Sequence, residues 1–396
     1  MVKKFKITSV EHNKLPTLEE SYELLDMIHK KVKPSLSSIK REIYKPLILY
    51  GAGNLGKMAK EYFDILNIPI LLVIDKNPQN YTEDKFWNKI KIFGIKDNTI
   101  QINKEKCLLV ICIVTSSYKE ISSQLKSEGW TDIVPFYDIT LVYQNKHPLN
   151  NGWCTSLLDK EDIKGMEYVL SNLQDNISYA HYLQFIAWHS LREEWIFKDA
   201  PISHKEKYFI PEIVSLLTDN ETFVNVGAYD GEFTNKFMKN VNNKFNTIYA
   251  FEPDSKNVNR FLNNVDMNFN IHLIPKVLGN TTGKKKFYSN LNCLSQLSEF
   301  GKKEIEVHRL DDFKLSPTIV KIHVEGLESD IFDGGLETIK KNRSIVMMTI
   351  YHNRNGLWKV PLKIMNSLDN YIYYFRLHLW YGTCGIIYAI PKERLK

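Results

Sequence analysis

Two glycine-rich turns in this 396-residue sequence have residue types and spacing suited to binding phosphate and ribose. The first, GAGNLG, carries Gly51, Gly53 and Gly56, and Asp75 ends the next apolar run. Glycines permit a tight turn, a helix N-terminus attracts phosphate, and a carboxylate accepts hydrogen bonds from ribose. We therefore expect a nucleotide site here. In the alternative, Asp75 only caps its own turn, and the glycines serve packing or assembly.

The second turn, FVNVGAYDG, contains Gly227 and Gly231 and follows another apolar run. Glu252 ends the next apolar run and is followed by Pro253. Because a carboxylate can accept two hydrogen bonds side by side, we expect Glu252 to bind both hydroxyls of a ribose. The alternative is that Glu252 caps the turn formed by the two residues after it.

A third group of residues could move a proton. Lys321, His323 and Glu325 alternate along one apolar run, and His352 follows the next run. Period-two alternation would put the first three on one face of a strand. We expect Glu325 and His352 to handle a substrate and His323 to be a candidate base. The sequence is equally compatible with a surface or capping role for Glu328 and with a functional one. It shows no metal cluster.

The elements around these residues predict an α/β protein with two Rossmann-like domains, the second ending in an antiparallel edge hairpin. We expect N-terminal helices over 1–44, a GxGxxG domain over 45–142, a helical linker or lid over 143–218 and a catalytic domain over 219–396. In the first segment Thr17 and Glu20 form a capping box that predicts a helix. Between 155 and 220, helical spacing extends to Trp195 and Ile196 and indicates core packing.

Composition excludes several other classes of protein. The chain is 43% apolar and 25% charged, and its net charge of +6 is spread along the sequence. The short run Lys284–Lys286 indicates a solvated loop, so we expect no nucleic-acid partner. The most apolar stretch, Leu108–Val114, is too short to span a bilayer. Five scattered cysteines favour reduced thiols in the cytoplasm: Cys107, Cys112, Cys154, Cys293 and Cys384.

From Tyr208 onward, the chain resembles the FkbM-like S-adenosylmethionine-dependent methyltransferases. The resemblance rests on the order and spacing of YFIPEI, FVNVGAYDG, YAFEPD, VLGN, KIHVEGLESDIFDGG, TIYH, and RLH followed by IIYAIP. It implies a class I methyltransferase sheet and S-adenosyl-L-methionine as cofactor. The residues that it assigns to the cofactor are Asn225, Gly227, Ala228, Gly231, Glu252 and Pro253. It also implies that Arg376 and His378 contact a polar acceptor, with exposed edge residues as the alternative.

Two positions depart from the family pattern, which has aspartate where this chain has Asn225 and His323. The resemblance implies an O-methyltransferase that modifies a hydroxyl of a sugar, nucleotide sugar or glycan precursor, in bacterial surface-glycan biosynthesis. The two departures motivate an alternative, a catalytically impaired scaffold that keeps the cofactor fold. An oxidoreductase is a third hypothesis, but residues 45–140 show no catalytic motif for hydride transfer. Homo-oligomerisation stays open.

Overall fold

Four β-sheets and twelve α-helices organise the part of the chain that the structure describes. The structure is a computed structural model. It describes residues 7–32, 43–97, 99, 101–143, 145–147, 149, 151–155, 157–288, 296–297, 301 and 303–395. Within these ranges the chain builds two large sheets with helices against them. The predicted α/β class is thereby confirmed.

The N-terminal segment differs from the predicted pair of helices. It begins with strand β1 (Thr8–His12), and helix α1 (Leu18–Lys31) follows. The capping box at the start of α1 is confirmed, because Thr17 and Glu20 each accept a hydrogen bond from the other's backbone N–H. Any second helix would fall on residues 33–42, outside the described residues.

The first large sheet has five parallel strands in the order β4-β3-β2-β5-β6. They are β2 (Leu47–Tyr50), β3 (Ile70–Asp75), β4 (Ile92–Gly94), β5 (Leu108–Ile111) and β6 (Ile133–Pro135). Helices α2 (Asn54–Ile65), α3 (Tyr118–Ser127) and α4 (Phe136–Thr140) alternate with them. Side chains from both faces of β2 and β5 enter hydrophobic clusters, which explains their continuous apolar sequences.

The connecting region contains helices α5 (Lys160–Asn172) and α6 (Asn176–Leu191), strand β7 (Glu193–Phe197) and the short helix α7 (Pro211–Val214). The prediction of helix through Trp195 and Ile196 was wrong, because these residues lie in β7. Strand β7 pairs in parallel with β1, far away in the sequence, so local spacing could not reveal the partner. Helix α6 is buried on nearly all sides and contributes to the largest core cluster.

The second large sheet has seven strands in the order β10-β9-β8-β15-β16-β18-β17. They are β8 (Thr222–Val226), β9 (Thr247–Phe251), β10 (Ile271–Ile274), β15 (Ile319–Ile322), β16 (Ile345–Thr349), β17 (Tyr371–Leu377) and β18 (Gly385–Pro391). The helices are α8 (Glu232–Asn240), α9 (Ser255–Asn264), α10 (Glu328–Gly334), α11 (Leu336–Asn342) and α12 (Lys359–Ser367). Strands β17 and β18 form the predicted antiparallel hairpin.

A small third sheet replaces the polar loop that we expected after β10. It contains β11 (Val277–Leu278), β12 (Gly283–Tyr288), β13 (Gln296–Leu297) and β14 (Lys303–His308). The run Lys284–Lys286 lies in β12, not in a loop. Its lysines face acidic partners across the strand pair, Lys284 opposite Glu306 and Lys286 opposite Glu304. Opposite charges at paired positions favour this register.

Two further expectations concern thiols and membranes. Four cysteines are free thiols, Cys107, Cys112, Cys154 and Cys384, whereas Cys293 lies outside the described residues. Among the helices that the structure describes, none has the length and apolar character needed to cross a membrane.

Candidate active site

A cavity of about 1010 Å³ lies where the carboxyl ends of both large sheets meet. The first sheet contributes Gly51, Gly53 and Asp75 to its wall, and the second contributes Gly227 and Glu252. His323 and Glu325 also border it. Ligands of open α/β sheets bind at the carboxyl ends of the strands. The fold therefore brings both sequence-predicted glycine turns to one cavity.

The first glycine turn is held by contacts with its neighbours. Gly51 has a φ of +110°, and a Cβ there would lie 2.9 Å from the Cys112 carbonyl oxygen. A Cβ at Gly56 would lie 2.0 Å from the carbonyl oxygen of Gly51. Asp75 accepts hydrogen bonds from the backbone N–H groups of Ala52, at 2.7 Å, and Asn77, at 2.8 Å. Asp75 thus caps both the glycine turn at Ala52 and its own turn at Asn77, and it also borders the cavity.

The second glycine turn packs against the end of β15. Gly227 has a φ of +72°, and a Cβ there would lie 1.9 Å from the carbonyl oxygen of His323. Lys321 donates hydrogen bonds to the carbonyl oxygens of Val226, at 3.1 Å, and Gly227, at 2.7 Å. This residue is buried, and burial lowers its pKa to about 7. Lys321 therefore fixes the backbone of the turn.

The other residues that the resemblance assigns to a cofactor divide into two groups. Glu252 and Pro253 border the cavity with Gly227. Ala228 and Gly231 are buried behind the wall, where a Cβ at Gly231 would lie 2.2 Å from Val265 Cγ2. Asn225 is also buried and donates to Thr234 Oγ1 at 3.1 Å. Its Oδ1 atom has no hydrogen-bond partner among the described residues.

Glu252 already accepts three hydrogen bonds from its own neighbourhood. The donors are the backbone N–H of Tyr229 at 2.9 Å, that of Asp254 at 3.0 Å, and Asn257 Nδ2 at 3.3 Å. Because an ionised carboxylate has about four acceptor positions, one position is left for a ligand instead of the two that we expected. Burial raises the pKa of Glu252 despite these donors.

Four ionisable side chains converge beyond the ends of β15 and β16, and we call them the acid–histidine cluster: His323, Glu325, Glu328 and His352. Strand β15 ends at Ile322, so His323 and Glu325 lie in the following turn and do not share a strand face with Lys321. Nδ1 of His352 lies 2.6 Å from a Glu328 oxygen, and its Nε2 lies 3.6 Å from a Glu325 oxygen.

The electrostatics of the cluster follow from burial and from its own charges. Burial raises the pKa of Glu325 to about 7, although His352 opposes this shift. Burial lowers the pKa of His323 well below its ordinary value, with smaller contributions from Lys207 and Lys321. For His352, burial acts downward, but the carboxylates of Glu328 and Glu325 outweigh it and raise the pKa. His323 is therefore neutral, and Glu325 titrates close to neutral pH.

Two tyrosines of the site were not predicted from the sequence, and Glu328 was not predicted to belong to it. The Tyr208 hydroxyl lies 2.5 Å from His323 Nδ1, and the Tyr351 hydroxyl lies 3.3 Å from His323 Nε2. Glu328 is buried and accepts a hydrogen bond from Thr349 at 3.0 Å. Tyr208 opens the YFIPEI motif and Tyr351 lies in TIYH, so both belong to the family resemblance, but the resemblance assigned no role to either side chain.

Arg376 and His378 do not border the cavity, nor are they exposed edge residues. Arg376 is buried and forms ion pairs with Asp175, at 2.7 Å, and Glu212, at 2.6 Å. His378 is buried as well, with its ring nitrogens 2.7 Å from the Ser203 carbonyl oxygen and 2.7 Å from the Tyr388 hydroxyl. Both expectations were wrong because the connecting region covers the outer face of β17.

Comparison with solved structures supports the fold. The crystal structure of Methyltransferase FkbM from Methylobacillus flagellatus KT matches with a TM-score of 0.59 and 16% identity, over 94% of this chain and 99% of that one. A precorrin-6y C5,15-methyltransferase from Geobacter metallireducens GS-15 gives a TM-score of 0.29 and 14% identity, over 49% and 95%. No curated protein matches the sequence.

The first of these similarities shows the fold of nearly the whole chain, and the second is too weak to support an argument. Sequence comparison with protein families is more specific. Residues 225–375 match the Methyltransferase FkbM domain, a range that contains the second glycine turn, Glu252 and the acid–histidine cluster. This match shows a domain similar to the Methyltransferase FkbM domain over less than half of the chain, and it does not reach the first glycine turn.

Proposed function

We propose that this protein is an S-adenosyl-L-methionine-dependent O-methyltransferase that modifies a hydroxyl of a sugar or glycan precursor. The observation that carries the proposal is the cavity bordered both by the second glycine turn and by His323 and Glu325 of the acid–histidine cluster. A methyl donor beside Gly227 and a hydroxyl beside Glu325 would meet inside it. Such a reaction needs alignment and removal of one proton, and it requires no covalent intermediate on the protein.

The residues at the second turn fit the cofactor. Gly227 brings backbone to the cavity wall where no Cβ has room, and Glu252 keeps one acceptor position for a ribose hydroxyl. Pro253 and Tyr229 border the same region. When bound, S-adenosyl-L-methionine supplies a methyl group on a positively charged sulfur. Gly227 and Glu252 would orient that group toward the acid–histidine cluster.

Glu325 is the best placed proton acceptor in the cluster. As the hydroxyl oxygen takes the methyl group from the sulfur of the bound cofactor, its proton must leave, and Glu325 would accept that proton. A general base works best when its pKa lies near the working pH, and that of Glu325 is about 7. The lowered pKa of His323 makes it a weaker base. His323, which also borders the cavity, then orients the acceptor, while His352 faces Glu325 at 3.6 Å.

The first glycine turn supports a nucleotide sugar as the acceptor. It faces the same cavity from the other sheet, with Gly51, Gly53 and Asp75 on the wall. A nucleotide sugar would place its phosphates near the start of α2 and its sugar near Glu325. Residues 45–142 would then hold the acceptor, and residues 219–396 would transfer the methyl group. Surface-glycan biosynthesis is the process that this acceptor class suggests.

The proposal is tested by incubating the full-length protein with methyl-labelled S-adenosylmethionine and a panel of nucleotide sugars and free sugars. We expect label in at least one nucleotide sugar. Glu325→Gln should lower turnover by roughly 100-fold or more, within the range for loss of a general base. Glu337→Gln, which changes a carboxylate that is 83% exposed, is the matched control. Cofactor binding without methylation of any acceptor would instead favour the impaired scaffold.

A further inference from the structure

We propose that His323, Glu325 and His352 form a binding site for one divalent transition-metal ion, with zinc as the representative ion. One ligand atom from each side chain is available, and these three atoms all lie within 4.8 Å of one another. The sequence indicated no metal cluster, because the three residues come from two strand ends that only the fold brings together. The family match does not assign such a site.

The separation of two of the ligand atoms is close to the separation that a small ion requires. Zinc binds histidine nitrogen and carboxylate oxygen at about 2.0–2.2 Å, so two ligands of a tetrahedral ion lie roughly 3.4 Å apart. Nε2 of His352 and Oε2 of Glu325 are separated by 3.6 Å. These two atoms are too far apart for a good hydrogen bond, yet they are close to the separation that a shared ion requires.

The imidazole of His352 is the second observation that points to a ligand. Its side chain is only 2% exposed, and its Nε2 has no hydrogen-bond partner among the described residues. A buried polar atom without a partner costs free energy, which a bound ion would recover. Because this nitrogen is directed at Glu325, an ion between the two would satisfy both groups.

The surroundings resemble those that orient metal-binding histidines. Such histidines usually engage a carboxylate or another polar group through the nitrogen that does not bind the metal. Glu328 lies 2.6 Å from Nδ1 of His352, and the Tyr208 hydroxyl lies 2.5 Å from Nδ1 of His323. The first contact leaves Nε2 of His352 available to an ion. Nε2 of His323 lies 3.3 Å from the Tyr351 hydroxyl, and the ion would replace that contact.

The ligand types select the metal. Two imidazoles and one carboxylate are typical of zinc and of other first-row transition ions, whereas magnesium and calcium prefer oxygen ligands. His323 and Glu325 border the cavity, so water or an acceptor hydroxyl can complete the coordination. If the proposed function holds, the ion would lower the pKa of that hydroxyl.

The test is a calorimetric titration of zinc chloride into chelator-treated full-length protein, without cofactor or acceptor. We expect one ion per chain with a micromolar or lower dissociation constant, and at least 100-fold weaker binding of magnesium chloride. Glu325→Gln and His323→Asn should each weaken zinc binding by more than about 100-fold, beyond the usual effect of an outer partner. His272→Gln, which removes an exposed histidine in β10, should have no effect.

A second readout protects the test against variants that fold poorly. Cobalt(II) added to the wild-type protein should give the visible absorption of a four- or five-coordinate site, and stoichiometric zinc should abolish it. Unchanged zinc affinity in both cluster variants would overturn the proposal, and so would an octahedral cobalt spectrum. Because no cofactor is present, either result would leave the methyltransferase assignment untouched. That assignment is tested by separate binding and turnover measurements.

Discussion

The carboxylate of Glu328 lies 2.6 Å from Nδ1 of His352, and both side chains are almost completely buried. This contact determines which nitrogen of the imidazole faces Glu325. Replacing the charge while keeping the shape, with Glu328→Gln, should therefore leave the fold intact but misorient the ring. We expect methyl transfer to fall by roughly 10- to 100-fold, the usual effect of losing such a partner.

The measurement for Glu328→Gln is turnover at saturating cofactor, together with the affinity for S-adenosylhomocysteine. That affinity should stay within about twofold of wild type, because Glu328 does not border the part of the cavity formed by Gly227 and Glu252. Unchanged turnover would mean that His352 has no part in the reaction. A parallel loss of cofactor affinity would indicate a general structural defect.

Gly227→Ala should damage both the fold and the cofactor site. The added Cβ would lie 1.9 Å from the His323 carbonyl oxygen, at a φ of +72° that residues other than glycine adopt at a cost. We expect a loss of about 2 kcal/mol or more in the free energy of unfolding, measured with denaturant. Gly94→Ala in β4 is the control, because its Cβ would meet only Pro78 at 3.8 Å. Equal stability of the two variants would contradict this packing.

The sequence predicted elements whose signal is local. The two glycine turns, the parallel strands and the closing hairpin each lie within a short window of alternating or continuous apolar residues. Strand β1 and the pairing of β12 with β14 were missed, because their partners are distant or their faces are charged. The end of β15 was placed too late, since apolar alternation continues through Val324 after the strand hydrogen bonds stop.

The candidate site shows the same limit. Spacing identified His323, Glu325 and His352 one by one, but not that they meet, because their proximity depends on the parallel pairing of β15 with β16. Arg376 was misassigned for a related reason. Its edge strand is covered by Asp175 and Glu212 from the connecting region, and a sequence pattern cannot show that cover.

Arg376→Gln should affect stability and leave recognition of the acceptor unchanged. The variant leaves Asp175 and Glu212 without their shared cation, and removing one member of a buried pair is strongly destabilising. Because both carboxylates are about one-third exposed, water partly compensates the loss. We therefore expect the free energy of unfolding to decrease by roughly 2–3 kcal/mol. The check is denaturant unfolding beside the KM for the acceptor. A raised KM for the acceptor at unchanged stability would instead indicate that Arg376 contacts the acceptor.

Acid should destabilise the protein through three buried histidines. Burial lowers the pKa of His181 to about 4 and those of His189 and His378 to about 3. In the unfolded chain each has a pKa near 6.5. Between these pKa values the unfolded state binds more protons than the folded state. The histidines' contribution to the free energy of unfolding is therefore fully present above pH 6.5 and decreases as the pH falls toward 4 and 3.

Each of these histidines can contribute up to about 1.4 kcal/mol per pH unit within that window. The measurement is the free energy of unfolding by denaturant at intervals between pH 7.5 and 4.5. His181→Asn should reduce the slope of the free energy of unfolding against pH by the amount that corresponds to about one proton. A flat profile between pH 6.5 and 4.5 would show that the three imidazoles are protonated in the folded protein.

The most direct measurement is calorimetric titration of S-adenosylhomocysteine into the full-length protein, Glu252→Gln and Asp75→Asn. The two acids occupy equivalent positions at the two glycine turns, so together they identify the sheet that holds the cofactor. We predict micromolar binding to the wild type, at least tenfold weaker binding to Glu252→Gln, and wild-type affinity for Asp75→Asn. No binding to the folded wild-type protein, or a loss confined to Asp75→Asn, would contradict the methyltransferase site proposed at Gly227 and Glu252.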